Sequence, residues 1–179
     1  MQGNPLVFPA VRGGKLSDVT LLAVVRRMGV EATIALPGRS IEDLRRAGRA
    51  AALAPLHPFY KETTAVFRDW GVPVVGGAPV GVSGSYAWLK ALGALLELEP
   101  ALVQAVAEEE RELAQALITA RPLAGRVFVT GYEGTELAYA RMLVEAGAEV
   151  PYVSTSIGQD PLVLPDELWL RARGTREVV

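Results

Sequence analysis

The chain has 179 residues, half of them hydrophobic, and carries a formal net charge of −2 at neutral pH. This length allows a sizeable buried core, in one large domain or two small ones. The nearly balanced charge gives no reason to expect a nucleic acid or an anionic membrane surface as partner. The chain has no cysteine and only one histidine, which excludes disulfide bonds and all-thiolate metal sites.

The distribution of hydrophobic residues argues against a membrane protein. A Gly, a Pro or a charged residue interrupts each apolar run before it reaches the roughly 18–20 residues needed to span a bilayer. The N-terminal sequence MQGNPLVFPAV lacks the basic region and the long apolar core of a signal peptide. We therefore expect no transmembrane segment and a cytoplasmic location. Two explanations of the high hydrophobic fraction remain open: a parallel sheet buried on both faces, and an additional subunit interface.

Strands and helices alternate through the first hundred residues. Short apolar runs bounded by Gly or Pro predict strands at residues 5–11, 30–36, 50–54 and 72–75. Helices are predicted to start near Ser17, Ser40, Glu62 and Ser83, with Ser40 and Ser83 as N-caps, and a long helix starts at Glu99-Pro100. Asp43 lies at the capping-box position three residues after Ser40. The apolar stripe of the long helix is predicted to consist of Val103, Val106, Leu113 and Leu117.

The remainder of the chain contains one clear βαβ unit. Residues 126–130 and 149–153 are predicted strands, joined by a glycine turn at 131–134 and a helix at 135–145. A short helix around residues 168–172 follows, and then the start of a further strand. The alternation favours an α/β fold of Rossmann-like parallel sheets flanked by helices. We predict two lobes, residues 1–98 and 122–179, joined by a long helix at residues 99–121.

Two turns share the pattern G-x-x-G-[ST] at a helix start, at residues 81–85 and 131–135. Such a turn exposes backbone N–H groups and the positive end of a helix dipole, which attract anions. Neither turn has the dinucleotide-binding or the phosphate-loop pattern. Glu133 places a carboxylate where a phosphate would lie, so we expect it to satisfy the helix N–H groups itself. The pattern favours a tight turn with a cap, and ligand contact remains the alternative.

His57 directly follows a predicted buried strand and precedes Pro58, Phe59 and Tyr60. Histidine exchanges protons near neutral pH, and aromatic rings stack on flat ligands. A partly buried histidine bonded to the backbone is the simpler explanation. No pair of carboxylates stands out for acid–base catalysis, and no histidine lies near Ser83 in sequence. The residues by themselves therefore suggest binding candidates and no catalytic set.

Three strings carry a family resemblance: HPFY, VVGGAPVGVSGSYAWLKALG and VTGYEGTELAYARMLVEAGAEVPYV. They resemble the Y subunits of chlorophyllide reductases, within the nitrogenase component-1-like superfamily. The resemblance implies stacked Rossmann-like domains in a subunit that pairs with a similar Z subunit. It also implies reduction of the C7=C8 double bond of chlorophyllide ring B in bacteriochlorophyll synthesis. Electrons in that family come from a separate ATP-hydrolysing iron–sulfur protein, through a [4Fe-4S] cluster shared by the catalytic subunits.

The sequence departs from this family in its cysteines and its length. The cluster cysteines of the family lie in an N-terminal domain, whereas this chain has none and is much shorter than a complete subunit. We therefore expect no cofactor in this chain, a [4Fe-4S] cluster only in the complete complex, and ATP on the partner reductase. The chain is expected to be part of a subunit or a shortened relative, and to be inactive alone.

The resemblance implies that this chain contributes a subunit interface and one wall of a tetrapyrrole pocket. The candidate substrate-binding residues follow predicted strands and are His57, Phe59, Tyr60, Tyr132 and Glu133. Aromatic rings would pack on the macrocycle, while His57 or Glu133 would contact a propionate or relay a proton. The expected partners are the Z subunit, the iron–sulfur reductase component and the tetrapyrrole. Two alternatives remain: a non-catalytic cofactor-binding or scaffold module of the same superfamily, and an unrelated small-molecule-binding α/β domain.

Overall fold

The computed structural model describes residues 6–9, 17–30, 33–36, 40–132, 134–157 and 160–178. The first part contains β1 (Leu6–Pro9), α1 (Ser17–Arg27), β2 (Thr33–Leu36), α2 (Ile41–Ala47), β3 (Ala52–Leu53), a 3-10 turn (Pro58–Tyr60) and α3 (Lys61–Asp69). Two longer helices follow, α4 (Val82–Leu95) and α5 (Pro100–Ala120). The last elements are β4 (Arg126–Thr130), α6 (Glu136–Glu145), β5 (Glu149–Ser154), α7 (Leu164–Arg171) and β6 (Glu177–Val178). The predicted α/β class with parallel sheets flanked by helices is confirmed.

Contacts between Cα atoms group the chain into two compact units. The first consists of Met1–Val75 with Leu89–Val106, and the second of Gly76–Trp88 with Ala107–Val179. Helices α4 and α5 therefore each contribute residues to both units. The lobe limits inferred from the sequence, residues 1–98 and 122–179, remain a prediction about domains.

The first unit is built on a parallel sheet with the strand order β2-β1-β3. Its hydrophobic core comprises Val7, Ile34, Ala47, Ala50, Leu53, Phe67 and Val72. Helix α2 begins as predicted, because the Ser40 hydroxyl accepts the Asp43 N–H at 3.1 Å. The predicted strand at residues 72–75 is reduced to a single parallel bridge between Leu53 and Val74. Pro73 supplies only its carbonyl, which accepts the Leu53 N–H, and has no N–H with which to extend the ladder.

The second unit is built on a parallel sheet with the order β4-β5-β6. Helix α6 packs on β4, β5 and α7, over a core of Leu137, Ala140, Val150, Val153, Val163 and Leu170. The strand expected after Gly174 is β6, which pairs in parallel with β5. The predicted βαβ unit at residues 126–153 thus forms the first part of this sheet.

The apolar stripe predicted for α5 is only partly buried. Val103 and Val106 are buried as predicted, but Leu113 and Leu117 are 53% and 73% exposed. A period of 3.6 residues carries the buried stripe from Val103 through Ala107 to Ala114 and Ile118, which are partly or fully buried. The two leucines lie beside that stripe, so counting apolar residues alone placed them wrongly.

Candidate functional site

The histidine and the aromatic residues singled out in the sequence lie at the carboxyl end of β3. His57 precedes the 3-10 turn, and its Nδ1 accepts the Phe59 N–H at 3.2 Å. The His57 ring lies edge-on to both aromatic rings, with centroid distances of 4.6 Å to Phe59 and 6.5 Å to Tyr60. We call these three residues the His57 cluster. Because Nδ1 is an acceptor, the neutral imidazole carries its proton on Nε2, where it is a hydrogen-bond donor.

The most exposed side chain of the His57 cluster is apolar. Phe59 is 56% exposed, whereas the preceding Pro58 is buried and His57 and Tyr60 are half-buried. The backbone bond to His57 and the proline at the start of the turn restrict the backbone that carries the phenyl ring. The arrangement places one exposed aromatic ring beside an imidazole, which suits a flat ligand that carries a polar group.

Tyr132 belongs to the second unit, in the turn after β4. It is 86% exposed, and its carbonyl oxygen accepts a hydrogen bond from the Ser156 hydroxyl at 3.1 Å. That bond ties the turn to the segment after β5. Glu133 lies outside the described residues. The structure therefore brings His57, Phe59 and Tyr60 together and places Tyr132 in the other unit.

The second unit contains a buried ionic network that was not predicted from the sequence. The Arg141 guanidinium donates to the Asp166 carboxylate at 2.6 Å and to the Ser83 hydroxyl at 2.8 Å. Its Nε lies 3.8 Å from the Glu145 carboxylate. We call Ser83, Arg141, Glu145 and Asp166 the Arg141 network. Arg141, Glu145 and Asp166 are almost completely buried, so the interactions among them are weakly screened by water.

Opposing effects act on the pKa of Asp166. Burial raises it above its ordinary value, because desolvation disfavours the charged form. The hydrogen bond and the positive charge of Arg141 lower it, and the negative charge of Glu145 raises it again. The balance leaves the pKa of Asp166 raised, so its ionised form depends on Arg141.

The predicted N-cap of α4 by Ser83 is wrong, because a residue of the Arg141 network takes that role. Ser83 lies inside the helix, and its N–H donates to the Glu145 carboxylate at 2.8 Å. The Val82 N–H donates to the other Glu145 oxygen at 2.6 Å. The first N–H groups of α4 are thus satisfied by a carboxylate from α6, and no local serine cap is needed.

Both G-x-x-G-[ST] turns hold a buried or partly buried carboxylate against their first glycine. A Cβ on Gly81 would collide with the Glu145 carboxylate, and a Cβ on Gly131 would collide with the Glu136 carboxylate. Glu136 is buried and accepts a hydrogen bond from the Thr155 hydroxyl at 2.9 Å. These glycines leave room for acidic side chains of the protein itself, which favours tight turns over phosphate binding.

One signal for the Arg141 network was present in the sequence. Arg141 and Glu145 are four residues apart and share the face of α6 that Leu137 buries, an unusual place for two charges. Asp166 carried no comparable signal, since its neighbours in sequence do not indicate which charge it meets. The partner of each group is set by the packing of α4, α6 and α7.

The side chains of this chain do not fit an iron–sulfur cluster. Such clusters are held mainly by cysteine thiolates, and the chain has no cysteine. Within the described ranges, no group of three or more His, Asp or Glu side chains is arranged to hold a metal ion. Among the same residues, no helix is long and apolar enough to cross a membrane.

Comparison with known families and sequences gives a consistent result. The family model described as nitrogenase component 1 type oxidoreductase matches residues 14–179. The chlorophyllide reductase 52.5 kDa chains of Cereibacter sphaeroides and Rhodobacter capsulatus are 38% and 36% identical to this chain, each over 94% of it. A light-independent protochlorophyllide reductase subunit N from Synechococcus elongatus is 28% identical over 81% of the chain. The chain spans about a third of the length of these curated relatives.

Solved structures show the same fold. A structure described as nitrogenase Cp1 at pH 6.5 superposes with a TM-score of 0.64 at 14% sequence identity, covering 87% of this chain and 32% of the nitrogenase chain. A second, at pH 5, gives a TM-score of 0.63 at 15% identity over 97% of this chain and 39% of the other. At these identities the similarity shows the fold alone.

Proposed function

Because the chain belongs to the nitrogenase component 1 type oxidoreductase family, we propose that it is part of the catalytic component of a nitrogenase-like chlorophyllide reductase. The observation that carries this proposal is the 36–38% identity with two chlorophyllide reductase chains over 94% of this chain. The reaction is the ATP-dependent reduction of the C7=C8 double bond of ring B. This chain forms a wall of the tetrapyrrole pocket and a subunit interface, and is inactive alone.

The proposed partners supply the cluster ligands that this chain lacks and the electrons that the reduction needs. A Z-type subunit completes the catalytic component, and a separate iron–sulfur protein binds ATP and supplies the electrons. The cluster thiolates come from outside these 179 residues, since the chain contains no cysteine. The contribution of this chain is therefore binding and orientation of the substrate.

The His57 cluster is the proposed contact with the macrocycle. The phenyl ring of Phe59 is more than half exposed although it is held by a short, bonded turn. A flat apolar macrocycle that covers this ring removes apolar surface of both the ring and the macrocycle from water. The turn loses little backbone entropy on binding, because its backbone is already restricted. Tyr132, exposed in the second unit, is proposed as a separate aromatic contact.

His57 is proposed to recognise the polar edge of the same ligand. Its Nδ1 accepts the Phe59 N–H, so the neutral ring carries its donor proton on Nε2. A propionate carboxylate is a matching acceptor, and a charge-assisted bond to it would orient the macrocycle over Phe59. Glu133 remains a candidate for the same task by its position in the sequence.

We expect Phe59→Ala to weaken chlorophyllide binding by about tenfold, the loss that follows from removing one stacking ring. The variant should fold normally, because the phenyl ring is mainly exposed. The measurement is a titration of chlorophyllide into this chain assembled with its Z-type subunit, followed by the absorbance of the pigment.

Trp70→Ala is the matched control for that titration. Trp70 is also an exposed aromatic residue of the first unit, but it lies at the end of α3, where it packs on Phe67. Its replacement should leave chlorophyllide affinity unchanged. Equal losses in both variants would indicate non-specific adsorption of the pigment and contradict the assignment of Phe59.

A non-catalytic cofactor-binding or scaffold module is the second candidate function, favoured by the lack of cluster ligands in the chain. The two functions differ in a reconstituted reaction. A complex of this chain with the Z-type subunit, the iron–sulfur protein, ATP and chlorophyllide should form the ring-B-reduced product. Pigment binding without reduction in that mixture would favour the module.

A further inference from the structure

The start of α4 is built like a binding site for a carboxylate. One Glu145 oxygen accepts the Val82 N–H at 2.6 Å, and the other accepts the Ser83 N–H at 2.8 Å as well as the Ser83 hydroxyl. The two oxygens are thus held by adjacent backbone donors, a two-point arrangement that suits a carboxylate. Glu145 reaches this place from the end of α6, 62 residues away in sequence.

The guanidinium of Arg141 is a buried cation next to the Glu145 carboxylate. Arg141 donates to the Ser83 hydroxyl at 2.8 Å, and its Nε lies 3.8 Å from the Glu145 carboxylate. Within the described part of the chain this Nε makes no hydrogen bond, although its side chain is only 8% exposed. In addition to the helix N–H groups and the hydroxyl, the site therefore has a buried N–H that faces the carboxylate at ion-pair distance without a hydrogen bond.

The space for the carboxylate is provided by Gly81, directly before α4. A Cβ on Gly81 would occupy the position of a Glu145 oxygen. A Cβ on Gly84, in contrast, would make only an ordinary van der Waals contact, 3.5 Å from Cζ and Nε of Arg141. The absence of a Cβ on Gly81 thus leaves the volume that the Glu145 carboxylate fills.

We propose that the start of α4 is a carboxylate-binding site, that Glu145 is its internal ligand, and that a free small monocarboxylate binds there when the Glu145 side chain is withdrawn. Acetate is the fitting probe, because its methyl and carboxylate groups replace the Cγ and carboxylate that Glu145→Ala removes. The site binds through Val82 N–H, Ser83 N–H, the Ser83 hydroxyl and Arg141. The proposal is independent of the chlorophyllide reductase function.

The test is thermal unfolding of the full 179-residue Glu145→Ala chain at neutral pH, in sodium acetate and in sodium chloride of equal ionic strength. Acetate at about ten times its Kd should raise the Tm of this variant by about 3–5 °C over chloride. Wild-type protein, whose site is filled, should show no such difference. Glu149→Ala, which removes an exposed carboxylate of β5, should show none either.

A second substitution locates the acetate. Ser83→Ala in the Glu145→Ala background removes one donor of the site, so the acetate concentration needed for half of the Tm rise should increase about fivefold to tenfold. An unchanged half-saturation value would place the acetate elsewhere and overturn the proposal. Equal Tm values of Glu145→Ala in acetate and chloride would also overturn it.

If Glu145→Ala is unfolded in chloride, recovery of folded protein from denaturant tests acetate binding instead. Folded protein should then be recovered from denaturant in acetate but not in chloride. Glu145→Gln, which keeps a side chain of the same shape in the site, should refold equally in both salts. No recovery of Glu145→Ala in acetate, with normal recovery of Glu145→Gln, would contradict the proposal.

Discussion

Replacing Arg141 with Met is expected to lower the free energy of unfolding of the second unit by about 3–5 kcal/mol, the usual cost of removing one partner from a buried ion pair. The reason is that the buried carboxylates of Asp166, at 2.6 Å, and Glu145, at 3.8 Å, would lose the cation that compensates their charges. Denaturant unfolding followed by the fluorescence of the three tryptophans measures the loss, and one of them, Trp169, has its ring centroid 4.8 Å from the Arg141 guanidinium.

Arg126→Met is the matched control. Arg126 pairs with Glu149 at 3.0 Å, a distance similar to that in the buried pair, but the two side chains are 61% and 63% exposed. An exposed pair contributes at most about 1 kcal/mol, because water screens it. Similar losses in Arg141→Met and Arg126→Met would show that burial does not determine the strength of the Arg141 network.

The cost of Arg141→Met is also expected to depend on pH. The pKa of folded Asp166 is already raised, and removing Arg141 takes away the group that lowers it. The folded variant then binds a proton more tightly than the unfolded chain, so its stability falls as pH rises from the ordinary carboxyl range through the raised pKa. The difference from wild type should be small where Asp166 is protonated and grow as the pH rises through the raised pKa. A difference independent of pH between acid and neutral solution would contradict this expectation.

Gly147→Ala is expected to be the next most damaging change, at about 2–3 kcal/mol, because two costs fall on one residue. Gly147 has φ +102°, a conformation that residues with a Cβ rarely adopt. An added Cβ would also lie 2.8 Å from the carbonyl oxygen of Leu123, a backbone atom that has little freedom to move away. The Leu123 N–H is itself bonded to the Ala146 carbonyl at 2.8 Å, which fixes the approach of the two segments. Denaturant unfolding of the variant measures the loss.

Gly174→Ala separates the two costs. Gly174 has nearly the same φ, +100°, but an added Cβ would meet no atom within 4 Å. It should therefore lose only the backbone contribution, and less than Gly147→Ala. A loss in Gly174→Ala equal to that in Gly147→Ala would mean that the contact with Leu123 is relieved by movement of the chain.

Much of the fold could be predicted from the sequence because its signals are local. The strand at residues 126–130 and the cap of α2 by Ser40 were predicted correctly, since alternation and capping depend on a few neighbouring residues. The strand at 72–75 was predicted too long because Pro73 was not weighed against the apolar run. Leu113 and Leu117 were misplaced because apolar character alone does not fix which face of α5 is covered.

The candidate site was predictable only in part. His57, Phe59 and Tyr60 are adjacent in sequence, so any turn after β3 would bring them together. That His57 bonds to the Phe59 backbone also follows from local geometry. Their contact with a tetrapyrrole, like that of Tyr132 and Glu133, stays a prediction that the binding experiments address.

The sequence by itself determined the alternation of strands and helices, the family resemblance and the lack of thiolate ligands, because each depends on residue type and short-range order. Only the tertiary structure decided which side chain accepts the first N–H groups of α4. A serine of the same turn was the local choice, but the packing of α6 against that turn places Glu145 there instead. Charged groups far apart in sequence find each other through packing, and their interaction becomes strong because packing also removes the water between them.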